Sequence, residues 1–209
     1  MNQKSISRRS YRVMQSMVNF RNFFNDPAFM NRLQDPQACD FAVGNPQEMP
    51  LNDYVNALRD KITPQNKDWF AYKMSELDAV SVVVDGLYRW RGIRYDPQDI
   101  FLTTGAFAAL NVTMGAILDL EDEVIFNSPP WFFYEPMILA HNAVPVRVRV
   151  DPRTFDLDID AINAAITPRT RAVIVNSPHN PTGKIYSPET LRQLSQVLSG
   201  AQEKYGRPI

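Results

Sequence analysis

From Asn52 onward, apolar positions recur first at helical spacing and then in short runs set between helices. Asn52 is the expected N-cap of a short helix through Lys61. Ser75 is the expected cap of a longer one. Its apolar face carries Val80, Val83, Val84, Leu87 and Tyr88, and Gly92 stops it. Beyond it, predicted strands Ile100–Thr104, Glu123–Asn127, Val144–Val150 and Ala172–Asn176 alternate with predicted helices Ala106–Leu118, Trp131–His141, Asp158–Ile166 and Pro188–Tyr205. Such β/α alternation demands crossover connections, so the predicted class is α/β, a mostly parallel sheet with helices on both faces. Ala172-Val173-Ile174-Val175 is continuously apolar, as in a strand buried on both sides. Val144–Val150 instead sets Arg147 and Arg149 between valines, which predicts one wet face and a place at the sheet edge. Met1–Pro50 holds few β-branched residues and reads as an N-terminal arm with one or two helical turns, ending in Gly44-Asn45-Pro46.

Composition narrows the class of partner. The 209 residues carry a formal net charge of −1 and no basic face stands out, which argues against nucleic acid. Cys39 is the single cysteine, so an intramolecular disulfide framework is excluded, in keeping with a reducing compartment. Arg8-Arg9 suggests a twin-arginine signal, but no apolar stretch follows, and the pair reads as solvated surface. No run approaches the roughly 18 apolar residues of a membrane span, so the expectation is a soluble, cytoplasmic protein. The closing Arg207-Pro208-Ile209 looks like the approach to another strand, so the sequence is expected to be incomplete.

Ligands of open α/β sheets bind outside the carboxyl ends of the strands, and three loops fall there. Thr103-Thr104-Gly105-Ala106-Phe107 sets a glycine before a helix start, a fair cradle for a phosphate. A glycine at such a turn is also common for steric reasons alone. Asn127-Ser128-Pro129-Pro130-Trp131 offers a tryptophan to stack on a flat heteroaromatic ring, against the plainer reading of a core tryptophan. Its prolines make a cis peptide accessible. The third loop runs Asn176-Ser177-Pro178-His179-Asn180-Pro181-Thr182-Gly183. Here an asparagine donor is held in a proline-glycine frame, against the plainer reading of a turn rich in Pro, Asn and Gly.

Taken in order, these loops resemble those of class I/II, fold type I, pyridoxal-phosphate-dependent aminotransferases, with Asn180-Pro181-Thr182-Gly183 similar to the family's Asn-Pro-Thr-Gly signature. The resemblance runs from about Phe41 to the end. It includes Gly44-Asn45-Pro46, similar to the family's Gly-x-Pro segment, the serine-proline-x-tryptophan run, and Thr167-Pro168-Arg169-Thr170. Among relatives it is nearest the bacterial MalY/PatB and general aminotransferase groups. The fold it implies is the first half of the family's large domain, with residues 1–48 an arm plus part of the small domain and 49–209 the first part of the large one. It also implies that the backbone N–H groups of Ala106 and Phe107 bind the phosphate of pyridoxal 5'-phosphate, that Trp131 stacks on the pyridine ring, that Asn180 donates to the ring oxygen, and that Gly44 lies by the substrate carboxylate. A tyrosine of the neighbouring subunit often reaches the phosphate in this family; Trp69-Phe70-Ala71-Tyr72 occupies that region, and the residues leave the part of Tyr72 open.

The implied activity is amino transfer between an amino acid and a 2-oxo acid by a homodimer. The family's ring-nitrogen aspartate, Schiff-base lysine and carboxylate-gripping arginine are expected beyond residue 209, so no catalytic residue is assigned. Of the lysines present (Lys4, Lys61, Lys67, Lys73, Lys184 and Lys204), none sits in a serine-rich loop, and Lys184 is given surface duty. His179 is read as a loop residue beside Asn180 and His141 as a helix-end residue; neither is given a catalytic role. No metal-ligand spacing is found. Asn111-Val112-Thr113 matches a glycosylation sequon but falls in a predicted helix and is discounted. Two alternatives stay open: a non-catalytic fragment, and a C–S lyase or related enzyme on the same fold. A Rossmann-type nucleotide sheet is disfavoured, because Gly105 stands alone where a Gly-x-Gly-x-x-Gly belongs.

Overall fold

The computed structural model describes residues 5–39, 41, 42, 44, 46 and 48–209, so Lys4 and Asn45 lie outside the described residues. The elements are α1 (Arg8–Ser16), α2 (Val18–Phe24), α3 (Pro27–Arg32), α4 (Asn52–Ile62), α5 (Leu77–Arg91), a 3-10 turn at Pro97–Asp99, α6 (Ala106–Ile117), β1 (Glu123–Ser128), α7 (Tyr134–Ala140), β2 (Val144–Arg149), α8 (Ile159–Ala165), β3 (Thr170–Ile174) and α9 (Pro188–Tyr205). They form two compact units, one of Met1–Asn31 with Leu110–Ile209, the other of Arg32–Ala109.

The first unit is built on a three-stranded parallel sheet in the order β2-β1-β3. Alternation along β1 sorts its side chains. Val124 and Phe126 join Met114 of α6 and Tyr134, Met137 and Ile138 of α7 in one apolar cluster. Ile125 joins Val148, Leu157, Ile162, Ile166, Tyr186, Leu194 and Ala201 in another, with α8 and α9. Helices therefore cover both faces, as the alternation of elements predicts. Ile125, Phe126, Ile138 and Ile162 have no exposed surface, and each fully buried apolar side chain of this size contributes about 1.5–3 kcal/mol. On the N-terminal side, Phe20 of α2 packs on Phe132 and Phe133, with ring centroids 4.4 and 5.7 Å away.

Two carboxylates are buried at the amino end of the sheet. Glu123 accepts from Arg169 Nε and Nη2, at 3.0 and 2.6 Å, and from Thr167 Oγ1 at 2.6 Å. Asp122 accepts from Arg207 Nη2 at 2.6 and 2.7 Å and from the Asp119 N–H at 2.9 Å. Burial pushes the Asp122 carboxyl up, but the Asp119 N–H and Arg207 outweigh it and hold the group below the ordinary carboxylate range.

In the second unit, α4 and α5 carry most of the regular structure. Gly92 ends α5 in the left-handed region, φ 70°, with its N–H on the Tyr88 carbonyl at 2.8 Å. The Trp69 indole donates to the Lys61 carbonyl at 2.9 Å. Val80 is the buried residue of α5.

Several expectations require correction. Residues 100–104 form no strand: a ladder needs a neighbour to take its N–H and C=O groups, and no described strand runs beside this segment. The doubly flanked strand is β1; β3 is half-buried and lies at the other edge, yet its apolar run meets cover on both faces as expected, Val173 and Val175 on one cluster and Ala172 and Ile174 on the other. Pairing with β1 also starts β3 at Thr170, two residues before that run begins. The arm holds three helices between Arg8 and Arg32 rather than one or two turns. Asn52 is the first residue of α4 and Leu51 its cap; Glu76, not Ser75, caps α5, and neither cap uses a side-chain bond. Arg8-Arg9 is exposed and β2 lies at the edge, as expected. Among the described residues no helix is long and apolar enough to cross a membrane.

Truncating Ile125 or Ile162 to alanine is expected to cost about 2–5 kcal/mol, read from urea midpoints, because both sit without exposure between sheet and helices. Val82→Ala, on the exposed side of α5, is expected to stay within about 0.5 kcal/mol of the parent. The contribution of Asp122 is fully present above the unfolded carboxyl value of about 3.9 and is lost as pH falls through its lower folded value. Asp122→Asn should therefore flatten the stability curve below about pH 4; an unchanged curve would refute the role given to this pair.

Candidate active site at the carboxyl edge of the sheet

Because β1 and β3 are parallel neighbours, the loops that follow them leave the same edge of the sheet. After β1, the Ser128–Pro129 peptide is cis and Pro130 leads into Trp131. The helix begins at Tyr134 rather than at the tryptophan, with the Tyr134 N–H on the Trp131 carbonyl at 3.1 Å. Trp131 is half-buried, edge-to-face with Phe133 and Tyr134 at 5.2 and 5.3 Å. It packs against the cluster around Val124 and Phe126. The packing supports the plainer reading of a core tryptophan, and the indole remains partly exposed.

After β3, the chain folds back on itself. The Ser177–Pro178 and Asn180–Pro181 peptides are cis. The His179 N–H donates to the Lys184 carbonyl at 2.8 Å, and the Gly183 N–H donates to the His179 carbonyl at 2.7 Å. Gly183 takes φ 72°, a conformation that favours glycine. The Asn180 N–H donates to Asn176 Oδ1 at 2.9 Å. Asn180 itself is exposed, and its side-chain amide is engaged by no group among the described residues. Its neighbour His179 is only 4% exposed, with Nδ1 3.0 Å from Thr182 Oγ1. Burial lowers the His179 pKa below its ordinary 6.5, which favours the neutral ring.

Lys184, expected at the surface, is half-buried and pairs with Asp156 at 3.1 Å, tying the loop after β3 to the loop after β2. Its neighbour Tyr186 is buried, and burial, Asp156 and Tyr134 push its phenol up to about 12. Two groups at this end were missed from sequence. The Asn127 amide and the Tyr186 hydroxyl are buried without a hydrogen-bond partner among the described residues. The available signal for Asn127 was its alternation with Ile125, which places a polar side chain on a covered face of the central strand.

The remaining candidates belong to the second unit. Gly105 has φ 88°, and a Cβ built there meets nothing within 4 Å. Its carbonyl accepts from Ala109 N–H at 3.1 Å and from Thr103 Oγ1 at 2.9 Å, so it stands at the N-cap of α6. Ala106 and Phe107 open that helix in exposed positions, at the end where the helix dipole favours an anion. Gly44 is exposed, also with open space at its Cβ position. The cavity of about 620 Å³ in this unit, lined by Met74, Leu77, Phe101 and Leu102 among others, includes none of the five candidates. Tyr72 is fully exposed. In the first unit, His141 caps the end of α7 and bonds Asn111 Oδ1 at 3.0 Å, which gives the sequon asparagine a structural partner.

The model of the family described as aminotransferase class I and II matches residues 36–201. The chain is 35% identical over 146 residues to a probable aspartate/prephenate aminotransferase of Thermus aquaticus, covering 69% of this chain and 38% of that protein. It is 38% identical over 116 residues to the aspartate aminotransferase of Geobacillus stearothermophilus, covering 55% and 30%. Among solved structures, an amino transferase from Eubacterium rectale superposes with a TM-score of 0.76 at 28% identity, covering 99% of this chain and 51% of that one. The N-succinyldiaminopimelate aminotransferase of Mycobacterium tuberculosis gives 0.69 at 31%, covering 77% and 42%. The chain thus spans 30% and 38% of the length of the two curated relatives named here.

Nitrogen-15 NMR of His179 should give a titration midpoint below 6.5. The unfolded histidine takes its proton first as pH falls, so stability should decline from about pH 6.5 down to the His179 midpoint and then level off. A midpoint at or above 6.5 would contradict the burial of the ring.

Proposed function

Because this chain belongs to the aminotransferase class I and II family, we propose that it is the cofactor-binding front part of a pyridoxal-phosphate-dependent aminotransferase. The observation that carries the reading is Asn180: an exposed, unengaged amide donor in a turn fixed on both sides, on the same sheet edge as Trp131. The residues present fit the group. A flat pyridine ring bearing an oxygen calls for an aromatic surface and a neutral donor, which Trp131 and Asn180 offer. A phosphate calls for backbone N–H groups at a helix start, where Ala106 and Phe107 stand, and for a turn open to close approach, which Gly105 offers. Gly44 is assigned to the substrate carboxylate by the family resemblance, and its open Cβ position is compatible with close approach.

When bound, pyridoxal phosphate supplies the electron sink for bond breaking at an amino acid's α-carbon. This chain's residues bind and orient. Asn180 donates to the ring oxygen, Trp131 restricts the ring to one plane, and the start of α6 neutralises the phosphate. The substrates in this reading are an amino acid and a 2-oxo acid, and the relatives named above, all aminotransferases by name, favour amino transfer over a lyase outcome. The working protein is a cytoplasmic homodimer. Residues 1–48 serve as an arm with part of the small domain, and 49–209 form the first part of the large domain. In this reading the residues present hold and orient the cofactor, and none of their lysines is assigned to covalent chemistry.

Titration of the 209-residue chain with pyridoxal phosphate, followed by absorbance, should show binding that dialysis reverses and that borohydride does not fix at a single lysine. Asn180→Ala should weaken binding about tenfold, the equivalent of one hydrogen bond of about 1.4 kcal/mol. Stoichiometric trapping at one lysine would overturn the reading that none of these lysines does covalent chemistry. Unchanged binding in Asn180→Ala would overturn the site.

A further inference from the structure

Asn180 is exposed, yet its immediate neighbours are among the most constrained residues of the loop. The segment from His179 to Lys184 is closed by two backbone bonds, the His179 N–H to the Lys184 carbonyl at 2.8 Å and the Gly183 N–H to the His179 carbonyl at 2.7 Å. Inside that ring a side-chain relay runs the same way. Thr182 Oγ1 accepts the Lys184 N–H at 3.3 Å and lies 3.0 Å from His179 Nδ1. From outside the ring, Asn176 Oδ1 holds the Asn180 N–H at 2.9 Å. The His179 ring is buried beside Tyr186, with centroids 6.2 Å apart, and so cannot swing out without opening an apolar contact.

We propose that His179, acting through Thr182, is the positioning residue that fixes the direction of the Asn180 side chain, with Asn176 as the second clamp. The proposal rests on the reading of Asn180 as the contact to the ring oxygen. Its physical content is entropic. A solvent-exposed asparagine in a free turn samples several rotamers and backbone states, and each must be given up on binding. The closed ring gives up the backbone states during folding and so sets the direction in which the Asn180 side chain leaves the backbone. A histidine suits the post because it places a flat, polar ring in a buried slot. The neutral imidazole keeps the bond to Thr182 in either tautomer, donating or accepting at Nδ1. Neither His179 nor Thr182 needs to touch the ligand.

The test uses Thr182→Val, which removes the hydroxyl and keeps the shape, Thr182→Ser, which restores it, His179→Ala, Asn180→Ala, and the double variant Thr182→Val/Asn180→Ala. In the unliganded chain, amide exchange at Asn180 and Gly183 should rise about tenfold in Thr182→Val and return in Thr182→Ser, with the amides of β1 unmoved. In the pyridoxal-phosphate titration, Thr182→Val and His179→Ala should lose most of the roughly tenfold affinity that Asn180→Ala loses. All three should also shift the bound cofactor's absorbance band in the same direction. The double variant should bind no more weakly than Asn180→Ala, because a residue that works through Asn180 adds nothing once Asn180 is gone. Wild-type exchange and binding in Thr182→Val overturn the proposal while a loss in Asn180→Ala leaves the reading of the site standing. Additive losses in the double variant also overturn it. No effect of Asn180→Ala, or no binding by the parent chain, overturns the reading of the site, and the exchange measurement still decides the clamp. If His179→Ala does not fold, the threonine pair carries the test.

Discussion

The sheet unit depends on β1 being satisfied on all four sides. Its backbone pairs with β2 along one edge and β3 along the other. Its side chains alternate between two apolar clusters, each closed by helices. A parallel neighbour cannot be reached by a tight turn, so each crossover must travel over a face and bring a helix with it. Once β1 is central, α7 and α8 have little choice of position. Every strand is then re-entered from the same direction, and the loops after β1 and β3 gather at one edge. The placement of the Trp131 and Asn180 loops is therefore a consequence of burying Val124, Ile125 and Phe126, rather than a separate feature laid on the fold.

The two ends of the sheet use polarity in opposite ways. At the amino end, Asp122 and Glu123 are buried, and both carboxylates are matched by arginines in short hydrogen bonds. Breaking either pair by removing the cation leaves a buried charge, which is the costly direction. This end is closed electrostatically. At the carboxyl end, among the described residues, the Asn127 amide and the Tyr186 hydroxyl are buried and unmatched, and the Asn180 amide is exposed and unengaged. Polar capacity is thus spent where the fold is locked and left available where a ligand is expected.

Much of this was legible in the sequence because it depends on local chemistry. Pro188 marks the start of α9, Gly92 marks the end of α5, and both signals act through backbone geometry within a few residues. The alternation of Arg147 and Arg149 with valines marked β2 as an edge, since an arginine cannot be buried unpaired on a covered face. What failed depended on partners distant in sequence. The residues 100–104 have strand-like composition but no ladder, and the apolar run of Ala172–Val175 says nothing about which strand lies beside it. Likewise Asn180 stood out from its proline-glycine frame, whereas Asn127, at the end of a predicted strand, drew notice only once the pairing of β1 placed it on a covered face.

The loop after β3 joins these strands of argument. Its sequence advertises a turn, and turns are usually where a fold is least stable. Here the turn is anchored at three depths: by backbone bonds within itself, by His179 against Tyr186 in the buried layer, and by the Lys184–Asp156 pair to the loop after β2. Those anchors are made from residues that flank Asn180 and leave its side chain free. A binding group on a mobile loop loses affinity to ordering, and one on a strand has less room to face outward. An exposed donor on a loop tied into the core avoids both losses, which is why the residues around Asn180 carry as much of the functional argument as Asn180 does.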